Sequence, residues 1–185
     1  MADTQGTDLP EDAAAGEVAT DAPARTLPDQ PVLRTLFEQF ETAVWGQSRG
    51  QDTATVVASD FRAFAEAAKA AGFEVCTDVT AVDYHRARRI RFEVVASLLS
   101  HQHNLRIRLR VPLAADALIV PSLVPVYPGT SFFERETYDM FGVEFEGHPD
   151  LTRILMPDEW VGHPLRKDFA TGEVPVQFKD SHKVS

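Results

Sequence analysis

Residues 92–111, FEVVASLLSHQHNLRIRLRV, decide the fold. Two alternating apolar runs flank a polar break, which is the pattern of an antiparallel hairpin. With Ser100 to His103 as a four-residue loop, Leu98 faces Leu105, Ala96 faces Ile107, Val94 faces Leu109 and Phe92 faces Val111, apolar against apolar. A one-residue slip would turn that whole set to the wrong face. The other face then puts Arg106 opposite Ser97, Arg108 opposite Val95 and Arg110 opposite Glu93, with Arg86, Arg88, Arg89 and Arg91 just upstream. Such a basic strip suits a carboxylate-rich neighbour or anionic lipid headgroups. It is equally the look of an ordinary solvated sheet face.

Upstream of the hairpin, Phe73 to Val82 alternates apolar and polar residues and reads as a third strand, with Cys76 on its more polar side. A helix precedes it, capped by Ser59, buried through Phe61, Phe64, Ala65 and Ala68, and stopped by Gly72. Thr53 to Ala58 is short and β-branched, a strand. Before it, Pro31 suits a first helical position, and Leu33, Leu36, Phe37, Phe40 and Val44 recur at helical spacing up to Gly46. Residues 1–30 carry seven carboxylates against Arg25 and no periodic apolar face, so this acidic tail is expected to be disordered.

Downstream, residues 112–129 hold four prolines and are expected to run extended over the surface. The chain then reads SFFERETYDMFGVEFEGHPDLTRILMPDEWVGHPLRKDF over residues 131–169. Ser131 and Glu134 have capping-box spacing and Gly142 supplies a helix stop. Phe133, Thr137, Met140 and Phe141 gather on one side of that helix, and Glu134, Arg135, Glu136 and Asp139 on the other. Phe132 falls among the charges, and Arg135 and Asp139 have the spacing of a pair. The second face suits a partner, although solvent would also satisfy it. His148-Pro149 and His163-Pro164 fix two imidazoles in extended backbone. With Asp150, Asp158, Glu159 and Asp168 they could be imagined around a metal, but their spacing matches no ligand motif.

The net charge of −10 argues against a nucleic-acid partner, because phosphate binding needs a basic footprint. A single cysteine cannot hold a four-thiolate iron-sulfur cluster, and neither a P-loop nor a GxGxxG run is present. The 185 residues, 44% of them hydrophobic, suffice for one domain with tails. No stretch reads as a signal or membrane helix, so the chain itself is expected to stay in the cytoplasm.

The run ERETYDMFGVEFEGHPDLTRIL followed by GHPLRKDF resembles the signature of the 30 kDa-type subunit of respiratory complex I, the NADH-quinone oxidoreductase. The likeness extends over about residues 78–169, through VDY at 82–84, RFEVV at 91–95 and LLS at 98–100. Thr152 stands where that family leads one to expect an arginine, and Phe132 where a tryptophan is usual. The resemblance implies a peripheral-arm subunit on the cytoplasmic face of the bacterial cell membrane. Its partners would be the large quinone-site subunit and the subunit with the terminal iron-sulfur cluster; FMN and the clusters would belong to partner subunits, with no cofactor in this chain. Candidate interface residues are Phe132, Glu134, Arg135, Asp139, His148, Asp150, Arg153, His163, Arg166, Lys167 and Asp168, with Arg106, Arg108 and Arg110 as the basic strip.

The expected fold is α+β in two layers, helices on a mixed β-sheet, with an extended, largely irregular C-terminal arm. Its parts are the acidic tail 1–30, the α+β domain with its proline-rich linker 31–130, the helix and partner-binding arm 131–169, and a C-terminal tail 170–185. Two other readings stay open: a homologous subunit of a membrane-bound hydrogenase-type complex, and a stand-alone metal hydrolase using His148 and His163.

Overall fold

A computed structural model describes residues 26–169, so the expectations for most of the acidic tail and for the C-terminal tail lie outside the described residues. In chain order the elements are α1 (Pro31–Glu38), β1 (Val44–Ser48), β2 (Gln51–Thr55), α2 (Phe61–Ala70), β3 (Val75–Asp83), β4 (Phe92–Ser100), β5 (Leu105–Leu113), β6 (Ile119–Pro121), α3 (Ser131–Phe141) and β7 (Glu144–Glu146). Five strands form a mixed sheet in the order β1-β2-β5-β4-β3, and β6 and β7 make a small parallel pair. Helices and sheet enclose one apolar core, so the α+β expectation holds.

The hairpin β4–β5 lies where it is expected, but its register is displaced by two residues. Leu98 pairs with Ile107, Ala96 with Leu109, Val94 with Val111 and Phe92 with Leu113. A two-residue shift keeps every side chain on its face, so alternation alone cannot select between the registers. The loop selects: Asn104 takes a left-handed φ of 50°, and the His103 amide donates to Ser100 Oγ at 3.1 Å. Arg106, Arg108 and Arg110 therefore stand opposite Leu99, Ser97 and Val95.

The first helix ends at Glu38, earlier than its apolar spacing suggests. Val44 is instead 61% exposed on the edge strand β1, joined to β2 by Arg49-Gly50 with φ values of 52° and 74°. Two positive φ values in a two-residue loop match the twist of a tight hairpin. Ser59 does not cap α2, which is entered through a 3₁₀ turn without a side-chain cap. Phe61, Phe64, Ala65 and Ala68 do form its buried stripe.

The proline-rich stretch is not a surface strap. Leu118, Val120, Leu123, Val126 and Tyr127 are buried, and the Tyr127 hydroxyl donates to the Phe73 carbonyl at 2.7 Å. Arg62 ties it from α2, donating to the carbonyls of Ser122 at 2.8 Å and Glu146 at 2.9 Å. This stretch delivers α3 onto β3, where the Thr137 hydroxyl reaches the Val79 carbonyl at 3.1 Å. No described helix is long and apolar enough to cross a membrane.

Candidate subunit interface

The site is α3 and the irregular chain that follows it. Gly142 ends the helix at a φ of 72°, where a Cβ would also fall 2.5 Å from His163 Nε2. Both the conformation and the space demand glycine there.

The two carboxylates expected on an outward face are turned inward. Glu134 and Asp139 are both fully buried. Glu134 is not a cap: it accepts from Ser122 Oγ at 2.6 Å, the Leu123 amide at 2.7 Å and Thr130 Oγ1 at 3.0 Å, pinning the linker to the helix. Burial raises its pKa above the ordinary value, because these neutral donors only partly replace water. Asp139 accepts from the amides of Ile154, Leu155 and Met156 at 3.1, 2.8 and 2.8 Å and from Arg153 Nη1 at 2.5 Å. Burial would push this carboxyl up, but the three amides and the guanidinium outweigh it and the net pKa is lowered.

Asp139 thus organises the arm, and its partner is Arg153 rather than Arg135. Arg135 reaches across instead to Thr152 O at 3.1 Å, Thr152 Oγ1 at 2.9 Å and Arg153 O at 3.0 Å. The arm then closes the C-terminal end of α3. The Leu165 amide donates to the Met140 carbonyl at 3.1 Å, His163 Nδ1 to the Asp139 carbonyl at 3.0 Å and Arg166 Nε to the Phe141 carbonyl at 2.5 Å. These carbonyls lack intrahelical donors, and a cation there opposes the helix dipole. Burial, then the Arg166 and Arg153 charges, lower the His163 pKa.

A second anchor holds the end of the arm. Asp83, buried at the end of β3, accepts from Arg91 at 2.8 and 2.9 Å, from the His85 amide at 2.7 Å and from the Lys167 amide at 2.9 Å. Arg91 holds its pKa far below the ordinary carboxylate range. Arg91 also pairs with the half-exposed Asp168 at 2.8 Å, while the Lys167 side chain stays exposed. Asp83 belongs to the VDY run, so its type is visible in the sequence, but the arm amide it holds, that of Lys167, lies 84 residues away. Nothing local announces it.

His148 sits at the other end of α3. Its Nδ1 accepts from the Asp150 amide at 3.0 Å, which leaves Nε2–H to donate to the Ser131 carbonyl at 3.2 Å. Each histidine is therefore held by a different end of the helix. Among the described residues no group of three or more His, Cys, Asp and Glu could hold a metal ion.

The inward contacts leave the arm's apolar side chains facing out. Val161 is 86% exposed, Leu155 56%, Leu165 53% and Phe132, on α3, 64%. Asp150 is also exposed. Ordered backbone carrying unburied Leu, Val and Phe is the usual character of a protein contact surface.

A profile of the respiratory-chain NADH dehydrogenase 30 kDa subunit matches residues 54–174, which include β3, β4 and β5 of the sheet, α3 and the whole arm. The chain belongs to that family. Among curated relatives, it is 53% identical over 107 residues to the C subunit of NADH-quinone oxidoreductase from a Nocardioides species, covering 58% of this chain and 43% of that protein. The same protein of Saccharopolyspora erythraea matches with the same identity and coverage, and that of a Mycobacterium species is 50% identical over 57% of this chain and 46% of its own. The chain spans less than half the length of these relatives. A trypsin-resistant fragment of Nqo5 superposes with a TM-score of 0.58 at 30% identity, over 64% of this chain and 97% of the fragment. A chain of an archaeal membrane-bound sulfane sulfur reductase shares the fold, with a TM-score of 0.61 at 23% identity over 82% of this chain and 95% of its own. In this member of the 30 kDa family, the run from Glu134 to Phe169 builds a helix with two buried carboxylates and an arm clamped to it.

Proposed function

We propose that this chain is a cofactor-free structural subunit of a proton-translocating NADH-quinone oxidoreductase, in the peripheral arm at the cytoplasmic face of the membrane. Its contacts would be the quinone-site subunit and the subunit with the terminal iron-sulfur cluster, while FMN and the clusters reside in partners. The observation that carries this reading is the arm: Asp139 and Asp83 fix about twenty residues of irregular backbone from within the chain, and that order presents Leu155, Val161 and Leu165 outward. Pre-ordering lowers the entropy cost of docking. A subunit of this kind serves catalysis by position, since a displacement of about 1 Å at a reacting site can cost on the order of 100-fold in rate. Of the surface candidates, Phe132, Arg135, His148, Asp150, Arg153, His163, Arg166, Lys167 and Asp168 frame the contact. Glu134 and Asp139 shape it from beneath.

The test is affinity isolation of the full chain from membranes, with subunits identified by mass spectrometry, beside the double variant Leu155→Asp, Val161→Asp. Recovery of quinone-site and iron-sulfur subunits with the wild type, and their loss with the variant, is the expected result. Recovery of hydrogenase-type subunits would assign the chain to a related membrane complex. A chain that elutes alone from membranes that assemble an active oxidoreductase would remove the proposal.

A further inference from the structure

The small β6–β7 sheet buries one face and leaves the other open. Its parallel register sets Ile119 beside Glu144 and Pro121 beside Glu146. Side chains alternate along a strand, so these four share one face, while Val120 and Phe145 are buried on the other. On the open face Ile119 is 51% exposed next to two exposed glutamates. Tyr138 of α3 and Leu151 of the arm, both half-buried, stand beside it, and with Ile119, Glu144 and Glu146 they line an open groove of about 360 Å³. Among the described residues neither carboxylate makes a hydrogen bond or an ion pair, and the Tyr138 hydroxyl makes no hydrogen bond. Arg62, which touches this sheet, directs its donors to the Ser122 and Glu146 carbonyls and pairs with neither carboxylate.

Apolar walls and an acidic rim together define the occupant. Ile119, Leu151 and the Tyr138 ring match an aliphatic stem, and the two carboxylates repel an acidic segment. A lysine or arginine satisfies both demands, because its methylenes lie along apolar surface while its charged head reaches outward. The Tyr138 ring offers a face that a cation favours, and its hydroxyl an acceptor. The size suits roughly one or two side chains rather than a helix. We propose that the β6–β7 groove docks a neighbouring subunit through a lysine or arginine seated between Glu144 and Glu146, with an adjoining apolar side chain of that subunit against Ile119 and Leu151. This rests on the reading of the chain as a subunit of a larger complex. It adds to the apolar arm a second contact of different chemistry, which shares no residue with Leu155, Val161 and Leu165.

The photo-cross-linking residue p-benzoylphenylalanine, introduced at Ile119 of the full chain and irradiated in membranes that assemble the complex, reads the contact. The same residue introduced at Val161 reads the arm. The expected product at Ile119 is a peptide of another subunit with a lysine or arginine beside the linked position. Glu144→Lys with Glu146→Lys should lower that product about tenfold, since like charges then face each other. Changing the identified cation of the partner to glutamate should restore it in the Lys variant, which a merely misfolded variant would not allow. Both carboxylates are exposed, so the melting temperature of the isolated variant should match that of the wild type. Cross-linking at Val161 with none at Ile119 would overturn this proposal and leave the subunit reading standing. No product at either position would remove both. A product with a second copy of this chain, with a peptide that carries no cation, or one indifferent to the charge reversal would also overturn it.

Discussion

The sheet and the arm are held by different forces. Strands β3, β4 and β5 close on Phe64, Phe73, Leu98, Ile107 and Leu109, an apolar core whose stability scales with area removed from water and hardly responds to pH. The arm has almost no such core. It is fixed by two carboxylates: Asp139 gathers three of its backbone amides and the Arg153 guanidinium, and Asp83 holds the Lys167 amide beside Arg91. The comparison teaches that one part of this chain can fail while the other stays folded, and that the part able to fail alone is the one proposed above as the contact surface.

The sharpest way to break the comparison is Asp139→Ala. Three amides and Arg153 lose their acceptor in a buried position, at a cost of about 3–5 kcal/mol. Limited proteolysis should then cut within residues 147–169 while β4 and β5 keep slow amide exchange, and assembled complex should disappear. Gly142→Ala comes next, at about 2–3 kcal/mol, from left-handed backbone together with the clash against His163. Thermal unfolding of the isolated chain checks it.

Arg166→Ala separates two accounts of one residue. Taken from sequence, Arg166 reads as an interface group that is solvated before assembly. In the structure its Nε holds the Phe141 carbonyl and its guanidinium lies 5.5 Å from the Phe92 ring, so it braces the arm against the sheet. Loss of about 1–2 kcal/mol in the free subunit is therefore expected. An unchanged melting temperature with failed assembly would return Arg166 to the interface alone.

The pH dependence sharpens the contrast in sign. Asp139 and Asp83 have folded pKa values below their ordinary 3.8, so they contribute stability above that value and lose it as pH falls through their folded pKa values. Glu134 runs the other way. Its folded pKa lies above 4.5, so its contribution is full below pH 4.5 and declines as pH rises through the folded value. Glu134→Gln, which retains an acceptor and a donor, should flatten the decline above pH 4.5 and leave the acid limb in place. Denaturant midpoints measured from pH 3 to 8 decide this. The smallest effect on stability is expected from Val161→Asp, within about 0.5 kcal/mol because the side chain is 86% exposed. Native electrophoresis of membranes should nonetheless show less assembled complex.

What could be read from the residues follows this same division. Alternation in Phe92–Val111 reveals strands because burial imposes a period of two, yet that period is blind to a two-residue shift that Asn104 decides. The false extension of α1 to Val44 arises because apolar spacing continues by coincidence past the helix end at Glu38 into the edge strand β1. Between the prolines of 112–129 the buried Leu118, Val120 and Leu123 are in plain view, but prolines dominate a local reading. The inward direction of Asp139 is not legible at all. Besides Arg153, its donors are backbone amides 15 to 17 residues further on, and amides have no residue type to recognise.

The central claim is that the arm is ordered by its own chain before any partner arrives. Hydrogen exchange at the amides of Ile154, Leu155 and Met156 in the isolated full chain tests it most directly, with Asp139→Ala alongside. Protection well above that of an unstructured peptide in the wild type, lost in the variant, is the result expected. Exchange at the free-peptide rate in the wild type, with protection gained only in the assembled complex, would contradict it and make the arm's order the work of its partners.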